Sequence, residues 1–446
     1  MKETGLITAR EIELAGDSIG MALKAGADAV RVSLSKCVQT SITVLDGKTD
    51  NIAYNADRSL FFHIFADGRY GTFSTNRLET GELQSFIREA TSMVRALAPD
   101  NLHRLPLPWL KASGCTDGNE LRLYDDSYQS ISQEEKMEKA LGYGYLGKSC
   151  PLVESCESEY SDNLDDNLIM DSDGFLGRHT ETSFGMSCEV TVKSASGERF
   201  SAYHFDSSPF CGNFSFEGIC DKALEKALAK QSPAGIRSGR YNVIIDESCA
   251  SRLLSPVISA LDAQNVQQGN SFLAGSLGRR VFPEGFFLKD LPLTKGCPGS
   301  RLFDTEGTAT KDRDIIRDGV LTQFFVNTYM AAKTGMAPTV EGISRPICNI
   351  SEKGISLDSL MDLCRDGLYI TSFNGGNCNT ADGSFSFGAE GIAFENGRLT
   401  HPFRETVITG SILQLWNSLI ALGDDCRACK RWQIPSLAFE KADINA

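Results

Sequence analysis

Histidine is scarce: five in 446 residues. They are followed by Ile64, Arg104, Thr180, Phe205 and Pro402, so no His-Glu pair exists. A zincin-type site, with two imidazoles one helical turn apart and a Glu as base between them, is therefore excluded within this chain. Basic residues are outnumbered, 44 Lys and Arg against 58 Asp and Glu, for a net charge of −14. A phosphate-tracking protein needs a net basic face, so general nucleic-acid binding is not expected. Long apolar runs are lacking too. The longest, Leu60 to Ala66, is interrupted by His63 and falls far short of the ~20 residues a bilayer requires. Met1 to Leu6 lead into Arg10, Glu11 and Glu13, which leaves no room for the apolar stretch of a signal peptide. The expectation is a cytoplasmic protein without a membrane span.

Fourteen cysteines are scattered from Cys37 to Cys429. Without a secretory signal they read as reduced thiols. The close pair Cys426 and Cys429 has neither a second pair nor histidines to complete a zinc site, and no strand-to-helix junction to make it a redox motif. It reads as structural.

The composition, 41% hydrophobic, 23% charged and 9% aromatic, is that of a globular protein. Its length predicts two or three domains at ~150 residues each. Forty-one glycines are about 9%, against a usual ~7%, and predict much β-structure with tight connections. Ile12, Ala15, Ile19, Ala22 and Leu23 mark a helix over 8–26, and Leu83, Phe86, Ile87, Ala90, Val94 and Leu97 another that Pro99 ends. Val30, Val32 and Leu34 alternate with polar residues, as do Leu60, Phe62 and Ile64 before the hairpin signal Asp67-Gly68. Ser132 and Glu135 form a capping box, and Ser196-Gly197 a second hairpin signal within 186–206. A helix from Ile219 to Leu228 runs into a Ser, Pro and Gly-rich stretch ending at Gly239, which predicts domains at 1–231 and 232–446. Beyond it, strands are expected at Tyr241 to Asp246, Gly319 to Val326, Gly367 to Phe373 and Ser384 to Asn396. A helix from Ile412 to Leu422, apolar nearly all round, reads as buried. The predicted class is α+β, a helix-and-strand N-terminal domain before a mainly β C-terminal one.

Two motifs need weighing. Gly142 to Ser149 matches the P-loop pattern, with Lys148 and Ser149 as the phosphate and magnesium residues and Val243 to Glu247 as a Walker B candidate. A P-loop is delivered by a strand, whereas Glu134 to Leu141 follows a capping box and reads as helix. Asp162, Asp165, Asp166, Asp171 and Asp173 are dense enough for a calcium loop. With Gly174 in the glycine place, however, the closing ligand would be Thr180, so a solvated acidic loop is expected.

Asn270 to Leu273 with Gly275 and Gly278, Leu302 to Gly307, Asp318 to Leu321, Gly383 to Ser386 with Gly388 and Gly391, Glu395 to Gly397, His401-Pro402 and Gly423 to Asp425 resemble, in order, the TldD/PmbA family, historically labelled modulators of DNA gyrase. Gly26 to Ala29 and Asp67 to Arg69 extend the resemblance to nearly the whole chain. The resemblance implies two paralogous subunit types that pair into a cytosolic zinc peptidase. One carries His-Glu-x-x-x-His on a helix with a Cys near the C-terminus. The other, PmbA or TldE, lacks those histidines. The matching helix here spans Leu253 to Ala260, with Ser255, Pro256 and Ala260 where the ligands and base would stand. Cys429 or Ala428 falls near the third ligand, and a lone thiolate would not retain zinc. The resemblance thus implies a PmbA/TldE-type subunit with no cofactor of its own, zinc in a TldD-like partner, and a peptide or unfolded chain as substrate, held along a strand edge. Arg301, Asp304, Glu306, Asn377 and Ser386 are the candidate groove or interface residues. A stand-alone homodimeric peptide-binding or regulatory protein and a P-loop nucleotide hydrolase are the alternatives.

Overall fold

The computed structural model describes residues 5–144, 150–350 and 353–446. Its first half is built on one antiparallel sheet of long strands: β1 (Ala29–Leu45), β2 (Lys48–Ala66), β3 (Arg69–Thr75), β4 (Val153–Asp171), β5 (Leu176–Lys193) and β6 (Arg199–Ser208), in the order β3-β2-β1-β4-β5-β6. Helices α1 (Ala9–Lys24) and α2 (Thr80–Arg95) cover one end of one face, burying Val30, Val32, Leu34, Phe62 and Ile64 with Ala15, Ile87 and Val94. Helices α3 (Gln133–Tyr143) and α4 (Ile219–Ala229) cover the other end of that face, over Ile42, Tyr160 and Val190.

The local signals explain these elements. Ser132 Oγ accepts from the Glu135 amide at 3.1 Å and Glu135 accepts from the Ser132 amide at 3.0 Å, the reciprocal cap that starts α3. Asp67 and Gly68 take φ of 51° and 66° between β2 and β3, the left-handed pair that a two-residue hairpin requires. Asp46 and Gly47, at 49° and 77°, do the same between β1 and β2.

The second half contains β7 (Gly239–Ile245), α5 (Ser251–Ala260), α6 (Ala263–Gln267), β8 (Phe286–Asp290), β9 (Arg313–Arg317), β10 (Val320–Leu321), α7 (Thr328–Thr334), β11 (Pro346–Ile350), α8 (Leu357–Cys364), β12 (Gly367–Cys378), β13 (Ser384–Glu395), β14 (Arg398–Ser411), α9 (Ile412–Asn417), β15 (Leu419–Leu422) and β16 (Leu437–Asn445). One sheet runs β14-β13-β12-β7-β16-β15, and a further pairing of β14 with β16 closes five of these strands into a barrel. Only β7 and β12 are parallel neighbours in it. A smaller antiparallel sheet, β10-β9-β8-β11, packs beside it. Trp416 of α9 is fully buried, its indole N–H donating to Leu253 O of α5 at 3.2 Å and its ring 5.1 Å from Phe286 and 5.8 Å from Phe439. The α+β class, with a β-rich second half and a buried late helix, is as expected.

Three expectations are corrected. The late helix stops at Asn417, and Leu419–Leu422 is a strand paired with β16. A short run that is apolar all round satisfies helix and buried strand alike. Of Gly319 to Val326 only Val320–Leu321 is strand, whereas Phe325 reaches across to exchange backbone hydrogen bonds with Leu261 and Ala263. The acidic stretch is strand rather than loop as far as Asp171, and only Asp173, in the turn that follows, is exposed. Asp162, Asp166 and Asp171 lie on β4 and are buried, paired with Lys136 at 2.8 Å, Arg178 at 2.7 Å and Lys111 at 2.5 Å. The partners come from distant segments, so the sequence pattern alone does not announce them.

Candidate functional site

The sheet face away from α1 to α4 is polar. On β4, Asn163, Asp165 and Asn167 alternate with the buried residues, and across the sheet they stand beside Gln39, Cys37 and Ser35 on one side and Ser183, Glu181 and His179 on the other. Ser35 donates to Asn167 Oδ1 at 2.7 Å, and the His179 ring nitrogen lies 3.3 Å from Glu181. Burial opposes the charge on Glu181, but His179, Arg301 and Arg431 hold its carboxyl below the usual range. Burial raises that of Asp165. Opposite this wall the C-terminal half brings Arg301, Phe303, Asp304, Cys429 and Arg431, enclosing a cleft of about 520 Å³. Asp304 is itself nearly buried. Its Oδ1 accepts from the Glu306 and Thr308 amides, each at 2.9 Å, and burial, then Glu341 and Glu306, push its carboxyl up to about 7. Arg431 is fixed by the Ile343 and Ser344 carbonyls.

A second cleft, of about 850 Å³, lies where β6 and α4 meet the start of α5. Ser255, Arg252, Asp246, Cys249, Tyr369 and His204 are among its lining. Arg252 donates to the Gly376 carbonyl at 2.7 Å and stacks 4.7 Å from the Phe387 ring. Burial, then Lys226 and Arg427, lower His204 to about 4, so its ring is neutral at physiological pH. Between the two clefts, Arg427 lies 3.6 Å from Asp206 and from Glu247, and Lys430 also pairs with Glu247, tying β6 to the C-terminal half.

Three family descriptions of the PmbA/TldA metallopeptidase match in chain order: domain 1 at residues 30–94, the central domain at 126–231 and the C-terminal domain at 238–446. A crystal structure from Bacteroides thetaiotaomicron, named a modulator of DNA gyrase, is 37% identical and superposes with a TM-score of 0.94 over 99% of this chain and 100% of its own. The chain belongs to the PmbA/TldD family. Metalloprotease PmbA of Escherichia coli O157:H7 is 24% identical over 419 residues, 94% of this chain and 92% of its own. TldE from Thermococcus kodakarensis, 17% identical with a TM-score of 0.83 over 97% of this chain and 100% of its own, shares the fold.

Ser255 Oγ donates to the Ser251 carbonyl at 2.9 Å, Pro256 is buried inside the helix, and Ala260 is buried in the core. Cys429 faces the first cleft, where it takes a hydrogen bond from Arg427 at 3.3 Å, and burial raises its thiol pKa. Among the described residues, His204, Asp246 and Cys249 do not converge as a metal-binding group. The side chains around α5 therefore do not fit a catalytic zinc. Of the other candidates, Arg301 and Asp304 line the first cleft. Glu306 turns to α7, accepting from the Thr328 amide at 2.9 Å and its hydroxyl at 2.7 Å. Asn377 and Ser386 face each other across β12 and β13, exposed and outside both clefts. Lys148 and Ser149 lie outside the described residues, and the segment leading to them is the helix α3. Asn163, Asn167, His179, Glu181 and Arg431 escaped the sequence reading. Their signal was the period-two alternation of Asn163, Asp165 and Asn167, which marks one face of a strand.

Proposed function

We propose that this chain is the PmbA/TldE-type subunit of a TldD-type zinc metallopeptidase complex, without a catalytic metal of its own, and that its first cleft holds peptides or unfolded segments. The observation that supports this reading is α5, whose Ser255, Pro256 and Ala260 offer a hydroxyl, an imino acid and a methyl group at the positions that the resemblance matches to His, Glu and His. The cleft suits the substrate class. Side-chain amides and hydroxyls on a sheet face can exchange hydrogen bonds with any extended main chain, and Arg301 and Arg431 can meet carbonyls or a carboxylate, which gives sequence-tolerant binding. In this reading residues 1–231 and 232–446 are the two domains, the complex is cytoplasmic, and neither DNA nor membrane is a direct partner.

The test is reconstitution with a His-Glu-x-x-x-His paralogue from the same genome. Zinc-dependent hydrolysis of an unstructured peptide is expected from the pair and not from this chain alone. Hydrolysis by this chain alone, lost with a chelator, overturns the reading. One observation favours the stand-alone, homodimeric peptide-binding alternative: both walls of the first cleft come from a single chain. Peptide binding without any paralogue captured at native expression would select it.

A further inference from the structure

Away from both clefts, on the helix-covered face of the first sheet, three thiols converge. Cys156 on β4 and Cys188 on β5 are diagonal neighbours, because Cys156 stands opposite Val190 and Cys188 opposite Ser158. Their sulfurs are 3.6 Å apart. Cys220 on α4 completes the group, with all three sulfurs within 4.8 Å of one another and all three residues buried. Among the described residues this is the only such convergence of three metal-ligating side chains.

The end of α3 points at the same place. The Tyr143 carbonyl accepts from Cys220 Sγ at 3.4 Å, and the Gly144 carbonyl accepts from Cys156 Sγ at 3.8 Å and from Ser158 Oγ at 2.6 Å. These are terminal carbonyls of an 11-residue helix, the end of the macrodipole that favours a cation. Around them the core is apolar, formed by Ile42, Val44, Tyr160, Met186 and Val190. With one pair of sulfurs 3.6 Å apart and every pair within 4.8 Å, an equilateral triangle with sides in that range places a central ion about 2.1–2.8 Å from each, a range that contains the ~2.3 Å zinc–sulfur distance.

We propose that Cys156, Cys188 and Cys220, with a carbonyl from the end of α3, form a structural site for a soft d10 metal ion of the zinc class. Thiolate ligands select such ions. Binding forms metal–sulfur bonds and releases the thiol protons to solvent, with no change of oxidation state. The ion would cross-link β4 and β5 to α4 and the end of α3, all at one end of the helix-covered face. The site is independent of the peptidase reading, since it lies on the opposite face of the sheet from the first cleft and needs no partner chain.

The test uses the full chain, reduced and stripped of metal, titrated with Cd(II) and Zn(II). One equivalent of Cd(II) per chain is expected, with a thiolate-to-cadmium absorption band. Zn(II) should compete for the same equivalent and raise the melting temperature. Cys188→Ala should weaken binding at least 100-fold while Cys429→Ala leaves it unchanged. Where Cys188→Ala does not fold, Cys220→Ala, on the helix rather than the sheet, serves instead. The proposal is overturned by no stoichiometric binding, by binding that survives the Cys188 and Cys220 substitutions, or by a Cys156–Cys188 disulfide as the only state of the isolated protein. Peptide hydrolysis does not enter the readout, so this site and the proposed function fail separately.

Discussion

The two faces of β4 carry nearly the same amino acids to opposite ends. Asp162 and Asp166 point under the helices, where each meets one cation, and Asp166 also accepts from the Leu6 and Ile7 amides at 2.7 Å. One residue along, Asn163, Asp165 and Asn167 point to the open face and line the cleft with no Lys or Arg ion pair among the described residues. Carboxylates on the first face fix the N-terminal segment and α3, whereas polar groups on the second remain available to a ligand. The difference is one of direction, set by the strand's period of two.

Substitutions along β4 separate these roles. The largest effect is expected for Asp166→Ala, which leaves the Arg178 guanidinium and two backbone amides without their carboxylate. It should cost about 3–5 kcal/mol, read from the urea midpoint. Loss of less than ~1 kcal/mol would break the distinction. On the cleft side, Arg301→Ala should weaken binding of a labelled unstructured peptide about tenfold, or ~1.4 kcal/mol, by fluorescence anisotropy, while the melting temperature holds. A large thermal shift with unchanged binding would make Arg301 structural.

Asp304 sharpens the comparison through pH. Its folded pKa of about 7 lies above the ordinary aspartate value of 3.8. The folded state therefore keeps the proton longer, and the stability this contributes is complete below about pH 3.8 and is lost as pH rises through about 7. Melting curves from pH 5 to 8 should show the Asp304→Asn variant gaining on the native chain by a few degrees as pH rises. A constant gap would remove burial as the cause. The smallest effect belongs to Asp165→Asn, expected to stay within ~0.5 kcal/mol in unfolding experiments, in contrast to its buried neighbour.

Much of the fold was legible. The Ser132 and Glu135 cap, the Asp67-Gly68 hairpin and the stripes of α1, α2 and α4 depend on neighbours within one or two turns, and all are present. The strands were read too short. β1 and β2 run on through polar residues such as Gln39, Asn51 and Asn55, because an antiparallel sheet satisfies its backbone whether or not its outer face is apolar. The candidate site was half legible. Arg301 and Asp304 sit in the cleft, whereas its other wall came from β1, β4 and β5, more than 100 residues away in sequence.

What the sequence by itself determined is local or compositional: family membership through ordered motifs, the absence of any His-Glu pair, and the helices and tight turns. Each depends on residues near in the chain or on a simple count. Tertiary structure alone decided which aspartates are buried, where the two clefts lie, and that Cys156, Cys188 and Cys220 share one spot. Those outcomes depend on strand register and on helices packed across it. A shift of one residue in that register would turn Asp166 to solvent and Asp165 into the core.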